Sequence, residues 1–110
     1  MSNYTVIDVL QTLFANAPAL MEELSAADGS FTSQKFLKQL AQRNQYAYIE
    51  LLQRCTARPA ASPFNAAHQH IGNKLSLEAA KLGYTRSEDV TRTETDIFDN
   101  PTGRVVYTRI

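Results

Sequence analysis

A chain of 110 residues has room for one hydrophobic core and none for a second independent module, and 44% hydrophobic with 20% charged residues, four glycines and four prolines exclude a disordered or fibrous protein. Formal net charge is zero but unevenly spread: residues 1–30 sum to −4, 31–59 to +4, 60–83 to +1 and 84–110 to −1, so no uniformly basic body announces non-specific nucleic-acid binding. The single cysteine, Cys55, excludes an internal disulfide and cannot build a zinc site alone, and neither a leader-like start nor a run of ~20 apolar residues is present, so the expected home is the cytoplasm, away from any membrane.

In chain order, the first periodic segment runs from Thr5 to Ala17, where Val6, Val9, Leu10, Leu13, Phe14 and Ala17 recur at three- and four-residue spacing and predict an amphipathic helix, with Asn3 or Thr5 as cap. Asn16-Ala17-Pro18 then predicts a restart, because proline is tolerated in the first turn of a helix, here one running through Leu24. Residues 26–30, Ala-Ala-Asp-Gly-Ser, read as a loop. From a cap at Thr32 or Ser33, a long stretch places Phe36, Leu37, Leu40, Ala41, Ala47, Tyr48, Leu51, Leu52 and Cys55 within one half of a helical wheel. Asn44 falls in that same apolar arc, where an unpaired amide is costly, so two helices joined near Arg43-Asn44-Gln45 are expected. Cys55 is expected as a packed thiol on the apolar side.

After a connection over 57–61, Ser62-Pro63 is a serine cap with proline at the first helical position. The helix from Pro63 to Leu82 carries Phe64, Ala67, Ile71, Leu75, Ala79 and Leu82 on one stripe and Asn65, Gln69, Asn73 and Ser76 on another about 130° away, with Gly83 as the residue that ends it. Beyond Tyr84 the period changes. Residues 90–98 and 104–110 are threonine-rich or valine-rich and predict two strands, joined by Asp99-Asn100-Pro101-Thr102-Gly103 as a type I turn with proline second and glycine fourth. The first strand is polar on both faces up to Ile97, which predicts a ribbon standing largely in solvent. The fold class is therefore α+β, mostly α: four to five helices over residues 1–83, then a C-terminal β-hairpin over 84–110, in a single domain spanning 1–110.

The segment from His68 to Ile110, HIGNKLSLEAAKLGY followed by a hairpin ending RVVYTRI, resembles the recognition helix and wing of winged helix-turn-helix domains. That resemblance implies double-stranded DNA as partner and a homodimer, in the role of a transcriptional regulator. Asn65, Gln69, Asn73 and Ser76 would then face base edges, since amides pair bidentately with adenine. His70 and Lys74 would reach phosphates, and Arg92, Arg104 and Arg109 would let the ribbon grip the backbone. The same polar row is equally what an ordinary solvated helix face looks like, and Arg92 and Arg104 could pair with Glu94, Asp96 or Asp99 across the ribbon.

His68 and His70 point about 200° apart on a helix and cannot converge on one ion, and His68 falls on the apolar stripe, so no metal site and no cofactor is expected. There is no glycine-rich phosphate loop, no GxSxG elbow and no second cysteine, and the acids Glu88, Asp89, Glu94, Asp96 and Asp99 cluster on a hairpin edge, so no enzyme is expected. The alternative to a DNA reader is a non-enzymatic protein-interaction module that uses its amphipathic helices or hairpin edge. Gathering of Lys35, Lys38, Arg43, Arg54, Arg58 and Lys74 on the face of the amide row would favour DNA; their dispersal would favour the interaction module.

Overall fold

The computed structural model describes residues 6–56, 62–95 and 101–110, and for 89–93 the backbone alone. The candidate caps Asn3 and Thr5, the connection with Arg58, and the residues 96–100 with Asp96, Ile97, Phe98 and Asp99 lie outside the described residues. Five helices and three strands follow in the order α1 (Val6–Leu13), α2 (Ala17–Ser25), β1 (Ser30–Thr32), α3 (Ser33–Arg43), α4 (Gln45–Cys55), α5 (Pro63–Lys81), β2 (Tyr84–Thr95) and β3 (Pro101–Arg109). The fold is thus α+β, mostly α, with a C-terminal antiparallel sheet.

Local chemistry accounts for most boundaries. Pro18 sits in the first turn of α2, where a missing N–H costs nothing. Thr32 caps α3 by accepting from the Lys35 N–H at 3.3 Å, and Ser62 caps α5 by accepting from the Asn65 N–H at 3.4 Å. The break between α3 and α4 falls at Asn44, whose Nδ2 donates to the Leu40 carbonyl at 2.9 Å and so relieves the amide that a continuous rod would bury. Gly83 has φ +87°, the left-handed conformation that glycine adopts without a Cβ clash, and this lets the chain turn from α5 directly into β2.

The sheet departs from expectation in three places. Residues 30–32 form a short strand, β1, rather than loop alone, and the order β1-β3-β2 lays β1 along the returning strand with Phe31 opposite Tyr107. The first hairpin strand starts at Tyr84, six residues before the threonine-rich run, because Gly83 releases the backbone straight into the ladder. The turn centred on Pro101 is not formed as expected: Pro101 pairs with Thr95 and Gly103 with Thr93, so both residues belong to β3. Proline is tolerated there because it is the first residue of the strand. Between the pairs Asp89↔Arg104 and Thr93↔Gly103, four steps on β2 face one step on β3, so residues 90–92 are extra and the ribbon carries an irregular bulge.

The core gathers α1, α3, α4 and α5 around Val9, Leu13, Phe36, Leu40, Leu51, Ile71 and Leu75, all at most 2% exposed. Phe31 links this helical core to the sheet, lying 5.4 Å from Tyr107, 5.3 Å from Tyr84 and 5.9 Å from Phe36 between ring centroids. Burying such a ring contributes roughly 2–3 kcal/mol, so β1 is held by its side chain more than by its three ladder positions. Cys55 is buried at the end of α4, and burial pushes its thiol pKa up, as a packed rather than reactive cysteine requires. One stripe residue of α5 behaves otherwise: Leu82 is 45% exposed, because the helix ends there and the chain turns away from the core.

Candidate nucleic-acid interface

α5 is the longest helix, 19 residues, and its apolar stripe of Ala67, Ile71, Leu75 and Ala79 is fully buried. That burial dictates what the opposite side presents. Asn65, Gln69 and Asn73 are exposed, one turn apart, and Ser76 is half-buried beside them. Among the described residues, none of the three amide side chains makes an intramolecular hydrogen bond, so their donors and acceptors stand free over about 12 Å of helix. Leu77 and Ala80 complete this outward face, with Leu77 66% exposed. Gly72 lies mid-helix at the border of the row, and a Cβ there would meet nothing within 4 Å. No contact inside the fold therefore requires a glycine at that point.

The only carboxylate on α5 is Glu78, and it is closed from two sides, with Lys74 Nζ at 3.6 Å and Lys81 Nζ at 3.5 Å. Lys74 is also stacked over the Phe14 ring at 5.6 Å. It stands on the flank of α5 that faces α1, half-buried and engaged, and is not a free phosphate ligand. His70 is exposed on that same flank and lines, with Ile7, Leu10, Asn73, Lys74 and Leu77, a shallow groove of ≈ 220 Å³ between α1 and α5. His68 turns the other way: its Nε2 shares a hydrogen bond with the Tyr48 hydroxyl, the two rings stack at 6.0 Å, and Phe64 meets it edge-on. Burial also raises the Tyr48 pKa above its usual value.

The ribbon arginines part company. Arg109 lies opposite Tyr84, at the root of the hairpin and far from its tip. Its Nη2 donates to Ser25 Oγ at 3.1 Å and to the Tyr84 hydroxyl at 3.2 Å, while Tyr84 and Ser25 bond at 2.8 Å and Ser25 donates to the Met21 carbonyl. Arg109, itself exposed, thus ties the sheet to α2. Arg104 is half-buried, and its Nε is enclosed without a partner among the described residues, so it is withdrawn from the exposed ribbon. Arg92 lies in the bulge, and its side chain is outside the described residues.

Three of the other cations are held in ion pairs. Arg43 reaches across to Glu23 of α2 at 2.6 Å, Arg54 pairs with Glu50 on its own helix at 3.4 Å, and Arg86 pairs with Glu88 at 2.9 Å. Lys35 and Lys38 stand on α3. Sequence reasoning missed one feature that orients the ribbon: Thr32 Oγ1 donates to Glu94 Oε2 at 2.7 Å, joining the cap of α3 to β2 across 62 residues of chain. No local pattern announces a contact between residues so far apart. Among the described residues no helix is long and apolar enough to cross a membrane. No family model, curated protein or solved structure matches the chain.

Proposed function

We propose that the chain is a small DNA-binding protein of winged-helix-like build, acting in transcriptional regulation, that enters the major groove with the outward face of α5. The observation that carries this reading is the row Asn65, Gln69 and Asn73: exposed, spaced by one turn, and with every hydrogen-bonding group unengaged within the described chain. Such groups are what direct readout of base edges needs, and Ser76 adds one more at the end of the row. The mid-helix glycine supports the reading, because Gly72 costs helix stability while filling no internal need, as expected where a backbone approaches a ligand closely. The partners of the cations shape the prediction. With Lys74 in an ion pair, Arg109 hydrogen-bonded to Ser25 and Tyr84 and Arg104 half-buried, few charges of the expected site are free for phosphates, so affinity rests on base contacts and on pairing of two copies.

Fluorescence anisotropy of labelled duplexes recovered by the chain from a randomised library, at low and moderate salt, tests this. Measurable binding with a shallow salt dependence is expected; absence of binding at both salts overturns it.

A second reading, a protein-interaction module, is favoured by the groove between α1 and α5, where Ile7 is 68% and Leu77 66% exposed. Mass measurement by light scattering on the chain and on Ile7→Glu tests this reading: an oligomer lost in the variant assigns the groove, which Asn73 and Leu77 of the amide face also line, to self-association.

A further inference from the structure

We infer that the α5 face selects A·T-rich duplex in the major groove, an inference that rests on the DNA-binding reading and narrows it to a substrate class. The argument is from the side chains that face carries and those it lacks. Asn65, Gln69 and Asn73 are amides, and an amide pairs bidentately with the N7 acceptor and N6 donor that adenine presents. Beside them stand the exposed Leu77 and Ala80, and an apolar side chain is the partner of the thymine methyl group. The face holds no arginine or lysine to bridge guanine O6 and N7, and no carboxylate to accept from cytosine N4.

No acid on that face opposes a polyanion: the single acid of α5, Glu78, is held by Lys74 and Lys81 and lies off the outward face. From Asn65 to Asn73 the row spans about 12 Å, which matches three to four base-pair steps of about 3.4 Å. A·T selectivity also arises in the minor groove, through its width and its acceptors, but an α-helix does not fit that groove and the row sits on a helix. The reading face is therefore a helix built for adenine and thymine edges.

Selection by the full-length chain from a randomised duplex library, followed by base-analogue substitution in the recovered site, tests this. An A·T-rich motif over three or more adjacent steps is expected. Replacing its adenines by 7-deazaadenine, which lacks the N7 acceptor, should weaken binding by about 5- to 150-fold for a directly read position. Gln69→Arg should move one position of the motif to G·C, because arginine reads guanine. A G·C-rich motif, no motif at all among bound duplexes, or an A·T motif indifferent to 7-deazaadenine overturns the inference while DNA binding itself stands. Failure to retain any duplex overturns the DNA-binding reading instead, and this inference with it.

Discussion

Replacing Gly72 by alanine should make the protein more stable and a worse DNA binder. The residue is in the middle of α5, it is not among the glycines with positive φ, and a Cβ at that point would meet no atom within 4 Å. Alanine can therefore adopt the native backbone without strain, and the gain is the intrinsic difference between the two residues in a helix interior, about 1 kcal/mol. With an unfolding entropy of about 2.1 cal/mol/K per residue, a chain of 110 residues has roughly 0.23 kcal/mol/K in total, so Tm should rise by about 4 °C. Binding should respond in the opposite sense. Gly72 precedes Ser76 by one turn and follows Asn65 by two, so an added methyl stands at the edge of the amide row, where closer approach to the duplex is lost. A loss of roughly tenfold is expected, comparable to one base contact. Differential scanning fluorimetry and anisotropy on the same preparation measure both. A lower Tm refutes the open environment assigned to Gly72, and unchanged or tighter binding at higher Tm refutes its role as a point of approach.

Four further outcomes are expected. The double substitution Asn65→Ala with Gln69→Ala, both exposed and free of side-chain partners, should leave Tm nearly unchanged and reduce sequence-selective affinity by about 1–3 kcal/mol per lost base contact; unaltered selectivity would remove α5 from the interface. Phe31→Ala should cost about 3–5 kcal/mol in chemical denaturation, since the ring is 3% exposed and touches both sheet and helices; a cost under about 1 kcal/mol would show that β1 does not hold the sheet to the core. Thr32→Val removes both the cap of α3 and the bond to Glu94 and should cost about 1–2 kcal/mol, with a milder loss in Thr32→Ser read by the same denaturation curves. Burial raises the pKa of Tyr48 and of the Cys55 thiol, so the neutral forms are favoured on folding: their contribution is whole below the ordinary values of about 10 and 8.5 and declines as pH rises past them. Thermal stability should fall on the alkaline side, native Cys55 should react with a thiol reagent far more slowly than the denatured chain, and equal rates would place it outside the core.

The helices were legible in the sequence because their determinants are local. Three- and four-residue spacing of apolar residues, the caps at Thr32 and Ser62, the misplaced amide at Asn44 and the glycine at 83 each act within a turn or two, and the observed α3, α4 and α5 follow them closely. The amide row of α5 belongs to this class: once the apolar stripe is known to be buried, the opposite side must be exposed. The sheet was read less completely. β1 is three residues long, too short for any period, and exists because Phe31 meets Tyr84 and Tyr107, contacts between residues more than 50 positions apart. The displaced turn has the same origin, since the register of β3 against β2 and β1 draws Pro101 and Gly103 into the ladder against their local preference for a turn.

Charge was the least legible property of all. Counting Lys and Arg along the chain says how many cations there are, but whether each one is free depends on what folding sets beside it. Arg43 meets Glu23 from another helix, Lys74 lies over Phe14, and Arg109 donates to Ser25 and Tyr84. Sequence by itself determined the helical order, the hairpin and the uncharged amide row, because those follow from neighbours on the chain. Tertiary structure alone decided the third strand, the clamps on the ribbon and which arginines remain available, because ion pairs and aromatic contacts form between residues that only the completed fold brings within a few ångströms.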